Sequence, residues 1–250
     1  RVNANQVDLN RDAIDLSQIE SRVLREEFNR FSPDFAFNLH DQRTIFGVNC
    51  KPATVSLLAP AFDQDRNYNS CRTLAAQLAS TIFEGLQPLI GSQIGRFDDC
   101  FNPNCVGDAL QSAGVPTLLI EAGHYPNDYS REQTREYVFY AYILALEAIA
   151  SSTFGNLSVY HSIPENQKIF FDFLLRDVSF MEKSTQQRGD VGLQFQEVLQ
   201  NDSIAFQAVF AAAGDLSYCH GHIEPNCNKL NKIDFKIKES AQNVLNKLNL

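Results

Sequence analysis

The stretch that decides the fold is Phe35-Ala36-Phe37-Asn38-Leu39-His40-Asp41-Gln42. Apolar side chains at positions 35, 37 and 39 alternate with smaller or polar ones, which is the period of a β-strand with one buried face. The cluster Ser32-Pro33-Asp34 directly before it breaks secondary structure and predicts where the strand begins. The alternation ends at His40, where the polar residues Asp41 and Gln42 follow, so the strand is predicted to stop there. Ligands bind at the carboxyl ends of strands in open α/β sheets. His40 is thus a candidate ligand or base, and the alternative is a purely structural side chain.

An amphipathic helix is predicted directly before this strand. The capping box Ser17-Gln18-Ile19-Glu20 predicts where the helix starts, and apolar residues at helical spacing predict its buried face. That face consists of Ile19, Val23, Leu24, Phe28 and Phe31. A helix followed by a strand is the first unit of an α/β alternation.

The alternation continues downstream to about residue 150. Residues 115–120 form a continuous apolar run, typical of a strand that is buried on both faces, and this run stops at Glu121. Helical patterns predict three further helices, over residues 71–89, 107–113 and 130–150, the last opening at a second capping box. The segments 41–70 and 91–104 are interpreted as long loops. Alternating helices and strands predict an α/β fold.

The pattern changes after residue 154. Alternating apolar residues predict three strands, over residues 191–195, 204–210 and 233–237. Asn201-Asp202 lies between the first two of these strands and predicts a β-hairpin turn. The segment 164–176 fits either a helix or a strand, and a short helix is predicted over 240–248. We therefore predict an α/β domain over residues 1–154 and a small β-containing appendage over residues 155–250.

Composition argues against several classes of function. The 250 residues are 44% hydrophobic and 20% charged, so the chain can bury a core. The net charge is −9, from 30 acidic and 21 basic residues. Without a cluster of Lys and Arg, such an acidic chain binds nucleic acid and anionic lipid poorly. No apolar run is long enough to span a membrane. We predict neither a nucleic-acid nor a membrane partner, and the oligomeric state stays unknown.

The chain begins at Arg1 rather than Met, and no signal peptide is visible. We expect that sequence upstream of Arg1 is missing, and the visible part favours a cytoplasmic location. The six cysteines are spread over the chain without a CxxC pair, so they do not indicate a disulfide framework. A disulfide bond between Cys100 and Cys105, or between Cys219 and Cys227, stays an open alternative.

Polar residues that suit catalysis lie in two further places. Asn10 and Arg11 follow Asp8 in a polar segment, and an arginine beside an amide can grip a carboxylate through parallel hydrogen bonds. The alternative for this segment is a polar loop with an Asx turn. Glu121 stands at the mouth of a buried strand, where a lone carboxylate is costly. It is therefore a candidate catalytic group or a salt-bridged structural residue.

Three motifs, in this order, resemble the zinc carboxypeptidase family, the relatives of carboxypeptidase A. Val7-Asp8-Leu9-Asn10-Arg11-Asp12 resembles the family's Gly-Val-Asp-x-Asn-Arg-Asn segment, with Gln6 in place of the glycine. Phe37-Asn38-Leu39-His40 resembles the strand that carries the third zinc ligand. Thr117-Leu118-Leu119-Ile120-Glu121 resembles the strand that carries the catalytic glutamate. Together the motifs cover residues 1–150.

The resemblance implies a fold, a cofactor and a set of roles. The fold would be a mixed, mostly parallel central sheet flanked by helices. His40 would bind zinc, Glu121 would be the general base, and Asp8 would orient another zinc-bound histidine. Asn10, Arg11 and Arg1 would bind the substrate, the first two at its terminal carboxylate. The implied activity is that of a zinc metallocarboxypeptidase, a hydrolase that removes C-terminal residues from peptides.

The sequence also departs from the family. The family's other zinc ligands come from a His-x-x-Glu motif upstream of the Asn-Arg segment, and no such motif precedes Asn10 here. The family often has a mobile tyrosine before the glutamate strand, whereas residues 97–104 contain none. Two alternatives therefore stay open. One is a deacylase of the same fold that acts on acyl-amino acids, and the other is an inactive homologue that binds carboxylates without zinc.

Overall fold

The computed structural model describes residues 2–182, 185–227, 235–236 and 241–248. Two compact units divide the chain: the first comprises Arg1–Arg43 and Gly47–Gln167, and the second comprises Thr44–Phe46 and Lys168–Leu250. The predicted domain boundary after residue 154 stays a prediction. The described residues form a mixed α/β structure with six α-helices and with parallel strands, which confirms the predicted fold class at this level.

A four-stranded mixed sheet lies at the centre of the first unit. Its spatial order is β1 (Ala36–Asp41), β6 (Thr117–Ala122), β4 (Val55–Leu58) and β5 (Ile94–Arg96). The pairs β1–β6 and β4–β5 are parallel, and β4 and β6 are antiparallel. The predicted strands that stop at His40 and at Glu121 are therefore adjacent.

Two segments interpreted as loops contain strands, so that interpretation is wrong. The segment 41–70 holds β2 (Phe46–Val48), β3 (Lys51–Pro52) and the central strand β4. The segment 91–104 holds β5. All four residues of β4 are buried, so this strand shows no alternation of apolar and polar residues. A short apolar run of this kind carries no period that distinguishes strand from loop or helix.

Helices cover one face of the sheet and create its main core. They are α2 (Ser70–Ile90), α4 (Glu132–Ser151) and α5 (Leu157–Ser162). Leu57 and Ile120 from the sheet pack in one cluster with Leu78 and Ile82 of α2 and Ala141 of α4. The short helix α3 (Val106–Ser112) lies against β1 and β6. This arrangement confirms the predicted helices over residues 71–89, 107–113 and 130–150.

Helix α1 (Ile19–Phe31) forms where it was predicted, but its apolar face is not buried. Ile19, Val23 and Phe31 expose 66%, 51% and 75% of their surface. Leu39, expected on the buried face of β1, is 53% exposed as well. The helical period is therefore correct, whereas the expected burial of this face is wrong for the described residues.

Aspartates replace both predicted capping boxes. The backbone amides of Ser17 and Gln18 donate to the Asp12 carboxylate, each at 2.9 Å. At the start of α4 the amide of Thr134 donates to Asp128 at 2.8 Å. An ionised carboxylate is a stronger acceptor than a serine hydroxyl. Asp12 binds the amides of the two residues that lead into α1, and Asp128 binds an amide in the first turn of α4.

The second unit contains a largely antiparallel sheet. Its strands β8 (Phe170–Glu182), β9 (Thr185–Gln200) and β10 (Ser203–Gly214) pair in sequence, and β11 (His220–Ile223) and β12 (Phe235–Lys236) run parallel to β8. The short strand β7 (Gln167–Lys168) precedes them. Helix α6 (Ala241–Leu248) packs Val244 and Leu245 onto this sheet.

The predicted hairpin at Asn201-Asp202 is confirmed, because these two residues form the turn between β9 and β10. The ambiguous segment 164–176 forms strands, β7 and the first part of β8, rather than a helix. Of the strand predicted over 233–237, only residues 235–236 lie within the described residues. All six cysteines are free thiols. None of the helices in the described ranges is long and apolar enough to cross a membrane.

Candidate functional site

A row of residues in register crosses the sheet face opposite the main core. His40 of β1 is the register partner of Glu121 of β6, and Glu121 is also the partner of Ser56 of β4. Ser56 is in turn the partner of Gly95 of β5. Side chains alternate along a strand, so residues next to core-facing Leu57 and Ile120 project from the other face. We call His40, Glu121, Ser56 and Gly95 the polar row.

His40 is half-buried at the carboxyl end of β1. Its Nε2 atom lies 3.1 Å from Oδ1 of Asn38, which is two residues earlier on the same face of the strand. Helix α3 lies close to Asn38, because a Cβ atom at Gly107 would be only 2.7 Å from the Asn38 Nδ2 atom. The Asn38 carboxamide, which lies against α3, therefore contacts the His40 imidazole along the same face of β1.

Glu121 is buried at the end of β6, with 7% of its surface exposed. Its Oε2 atom makes no hydrogen bond to any described residue. Burial, with a smaller contribution from the charge of Asp41, raises the pKa of Glu121 to about 7. A carboxyl group with this pKa exchanges protons near neutral pH, which suits a general acid or base. The salt-bridged structural alternative receives no support, since no ion pair of Glu121 occurs within the described residues.

Asp41 connects this carboxylate to an arginine. The Asp41 carboxylate lies 3.2 Å from Nη2 of Arg131, at the residue that caps α4. The same Nη2 atom donates to the carbonyl of Ala122 at 3.3 Å. Arg131 therefore attaches to both strand ends that carry His40 and Glu121, and it partly neutralises the negative charge that Asp41 adds beside Glu121.

An amide network occupies the other half of the polar row. Nδ2 of Asn166 donates to Ser56 Oγ at 2.8 Å and to Gln42 Oε1 at 2.9 Å. Gln42 Nε2 donates to the carbonyl of Ala53 at 2.9 Å. Gly95 makes room for this network, because a Cβ atom there would lie 1.7 Å from Asn166 Oδ1. Sequence reasoning missed Ser56 and Asn166, and nothing in the local pattern indicates them.

The Asn10–Arg11 segment is anchored to the start of α3. Asp8 accepts a hydrogen bond from the Asn10 amide at 3.0 Å, which forms an Asx turn into the 3₁₀ turn Leu9–Arg11. Oδ1 of Asn10 accepts from the Val106 amide at 3.0 Å. The Asx turn was the structural alternative for this segment. The predicted role of Asp8 toward a second zinc-bound histidine stays a prediction.

Arg11 is exposed and uses only part of its guanidinium for the fold. Its Nη1 atom donates to the Asn10 carbonyl at 2.6 Å and to Cys105 Sγ at 2.7 Å. Burial raises the pKa of the Cys105 thiol, so this partner stays neutral. Nε and Nη2 donate to none of the described residues, and this edge of the guanidinium can accept a carboxylate through two hydrogen bonds.

Helix α3 brings the two parts of the candidate site to one side of the sheet. Its first residue, Val106, contacts Asn10, and the next residue, Gly107, lies against Asn38 beside His40. The structure thus joins the segment of Asn10 and Arg11 to the strand of His40 through adjacent residues of one helix. Arg1, the remaining predicted substrate-binding residue, lies outside the described residues.

The described residues fit a zinc site in part. His40 offers an imidazole, and the partnerless buried oxygen of Glu121 lies on the neighbouring strand at the same level. A catalytic zinc requires three protein ligands. Within the parts of the chain that the structure describes, no group of three His, Cys, Asp or Glu side chains is arranged to hold a metal. The zinc assignment therefore needs further ligands besides His40.

Comparisons with known proteins add no relative to this description. A scan against family models, a search of curated proteins and a search of solved structures each found no match. A function for the chain therefore rests on the three motifs and on the geometry around His40, Glu121 and Arg11.

Proposed function

We propose that this chain carries part of the active site of a zinc-dependent carboxypeptidase-like hydrolase, which removes C-terminal residues from peptides. The observation that supports the proposal most directly is the register pairing of His40 with Glu121, whose buried carboxyl has its pKa raised to about 7. The carboxypeptidase-like arrangement of the sheet is part of the same proposal. The parallel pairing of β1 with β6 supports it, because it brings two of the three motifs together.

Arg11 and Asn10 would hold the terminal carboxylate of the substrate. The Nε and Nη2 atoms of Arg11 are directed away from its contacts with Asn10 and Cys105, so they can donate in parallel to one carboxylate. The Val106 amide occupies Oδ1 of Asn10, and the Nδ2 group is then the part of Asn10 that meets the substrate. Binding the terminal carboxylate fixes the position of the last peptide bond of the substrate, so that the C-terminal residue is the one removed.

Glu121 would move the proton of the reaction. As a carboxylate it accepts a proton from the attacking water, and as a carboxylic acid it donates that proton to the leaving amine. Its raised pKa favours the second half-step, because the protonated form is then accessible at neutral pH. The ion pair between Asp41 and Arg131 limits how far the neighbouring negative charge raises this pKa.

His40 would be one ligand of the zinc ion. When bound, zinc lowers the pKa of its water and polarises the scissile carbonyl. The neighbouring Asn38 orients the imidazole, and the sheet holds it at the level of Glu121. The other protein ligands would come from outside the described residues.

Zinc content tests this proposal first. The full-length protein is compared with its His40→Ala variant by elemental analysis, and His161→Ala, at an exposed histidine on α5, is the matched control. We expect about one zinc per chain in the parent and in the control, and a large loss in His40→Ala. An absence of zinc under zinc supplementation would overturn the metallopeptidase proposal.

Hydrolysis assays then separate the substrate classes. A carboxypeptidase cleaves peptides with free C-termini and leaves amidated ones intact, because only the former offer a carboxylate to Arg11. Cleavage of acyl-amino acids instead of peptides would indicate the deacylase alternative. Binding of peptides without hydrolysis and without zinc would indicate a carboxylate-binding protein.

A further inference from the structure

One edge of the sheet in the second unit lacks the features that usually protect an exposed strand. Strand β10 is the outermost strand there, and among the described residues it pairs with β9 alone. Its sequence, SIAFQAVFAAAG, contains no charged residue and no proline. Soluble proteins commonly protect edge strands with charged side chains, with proline or by short length. By contrast, the inner strands β8 and β9 carry charges, and β11 at the opposite edge is four residues long.

The hairpin turn determines which backbone groups of β10 point outward. Asn201 and Asp202 have positive φ angles of 48° and 60°, as in two-residue hairpin turns whose flanking residues are hydrogen-bonded to each other. Those flanking residues are Gln200 and Ser203. Hydrogen-bonded and non-hydrogen-bonded pairs alternate along an antiparallel ladder, so the odd-numbered residues of this part of β10 bond to β9. The even-numbered residues of the segment 204–210 therefore direct their N–H and C=O groups to the outer edge, and the register is regular over this segment.

The same even-numbered residues form the apolar face of the strand. Side chains alternate along a strand, so Ile204, Ala208 and Phe210 project from one face together with Phe206. Ala208 is buried in the core that α6 covers. Ile204 and Phe210 expose 73% and 39% of their surface, and Leu199, the register partner of Ile204, exposes 75%. Within the described residues, the apolar core of this sheet thus continues to an uncovered edge.

We propose that β10 is an interface between two copies of this chain, which pair their β10 strands antiparallel about a twofold axis at Gln207. Ile204 then lies opposite Phe210 of the second copy, and Phe206 lies opposite Ala208. Each of these pairs combines a larger with a smaller side chain on the same sheet face, as cross-strand packing favours. All four positions are even-numbered, so their outward backbone groups meet and form the ladder. None of the residues set opposite each other is charged.

A second copy suits this edge because the segment 204–210 is complementary to itself in the antiparallel direction. A twofold pairing also covers the exposed β10 edge of both copies at once, so that the assembly closes at the dimer. The segment is about 24 Å long at about 3.4 Å per residue. An interface of this length is at the small end of specific interfaces, where association is weak and reversible. The inference concerns the second unit and does not depend on the proposed hydrolase activity.

Sedimentation velocity of the full chain tests the pairing, at concentrations from about 1 μM to about 1 mM, the range of weak association. We expect a reversible monomer–dimer equilibrium. Gln207 is exposed, and a charge there would face the same charge of the second copy. Gln207→Lys and Gln207→Glu should therefore each weaken the dimer at least about tenfold. An equimolar mixture of these two variants should restore it, because opposite charges then meet at the axis. Gln187→Lys, at an exposed position of β9 beyond its pairing with β10, is the control and should dimerise like the parent.

Hydrogen exchange of the parent protein gives a second readout that requires no substitution. The outward amides of Ile204 and Phe210 should exchange more slowly as the concentration rises, whereas the amides of Ala205 and Val209, which bond to β9, should keep their rates. A parent that stays monomeric over the whole concentration range would overturn the proposal. So would a dimer that neither charged variant weakens, or a mixture of the two variants that associates no better than each alone. Assemblies that grow beyond the dimer would exclude the closed twofold pairing and overturn the proposal as well.

Discussion

His40 and Glu121 are register partners on two adjacent parallel strands, although they are distant in sequence. Both side chains project from the face of the sheet opposite the main core, at the level where β1 and β6 stop. The geometry brings an imidazole beside a buried carboxyl group whose pKa is raised to about 7. His40 and Glu121 lie on different strands, so the pairing of β1 with β6 brings the two groups together and creates the candidate site.

Replacing the Glu121 carboxyl with an amide should abolish proton transfer without disturbing zinc binding. Glu121→Gln has nearly the same shape, and we expect its kcat to fall by about 10²- to 10⁴-fold. The measurement is steady-state hydrolysis of a peptide with a free C-terminus, with zinc content determined alongside. Glu147→Gln, at an exposed position of α4, should keep the parent rate. Full activity in Glu121→Gln would remove Glu121 from the mechanism.

The same carboxyl should make stability depend on pH. Its pKa is about 7 in the folded protein and near 4.5 when unfolded, so the folded state binds more protons between these values. Stability should therefore fall as pH rises from about 4.5 to about 7, with the loss complete above the folded pKa.

Thermal unfolding of metal-free protein across this pH range measures the effect. In Glu121→Gln the decline from this group should disappear, and the variant should be more stable than the parent at pH values above about 7. An identical pH profile in both proteins would show that the pKa of Glu121 is not raised by burial.

Arg11 should govern substrate affinity. Arg11→Ala removes the charged grip on the terminal carboxylate, and the loss of hydrogen bonds to a charged group predicts a KM about 10- to 100-fold higher with a much smaller change in kcat. Arg11→Lys keeps the charge but loses the paired geometry, so we expect an intermediate KM. Arg22→Ala, at an exposed position of α1, is the control. Equal losses of kcat and kcat/KM would argue against a role in binding.

Gly95 should be intolerant of any side chain because Asn166 fills its space. A Cβ atom at Gly95 would lie 1.7 Å from Asn166 Oδ1, and we expect Gly95→Ala to destabilise the protein by about 1–3 kcal/mol. Asn166→Ala removes the obstructing carboxamide but leaves Ser56 and Gln42 without their partner, at a cost of about 1–3 kcal/mol.

Chemical denaturation of the two single variants and the double variant gives the coupling. The double variant should lose less than the sum of the single losses, by about 0.5–3 kcal/mol. Additive losses would show that Gly95 and Asn166 do not compete for the same space.

The local signals in the sequence were sufficient for the strand that stops at His40, the apolar strand before Glu121 and the helix over residues 70–90. Each has a clear period or a continuous apolar run, and these properties depend on neighbouring residues only. The same holds for the hairpin at Asn201-Asp202. Strands β4 and β5 were missed because they are only four and three residues long, too short to show a period.

Burial was harder to predict than secondary structure. The apolar face of α1 has a regular helical period, yet Val23 and Phe31 are exposed in the described residues. Periodicity shows that one side of a helix is apolar and carries no information about which surface covers it. The caps of the helix starts were also misjudged, because Asp12 binds the amides that lead into α1 and Asp128 binds an amide in the first turn of α4, each from several residues upstream.

The sequence by itself determined the residue types of the candidate site: a histidine and a glutamate at strand ends, and an Asn-Arg pair behind an Asx turn. Each of these depends on residues a few positions away. Only the tertiary structure decided that β1 and β6 are neighbours, that Asn166 reaches Ser56, and that α3 contacts both Asn10 and Asn38. These contacts join distant segments, and the raised pKa of Glu121 follows from them, because burial arises when the whole sheet is assembled.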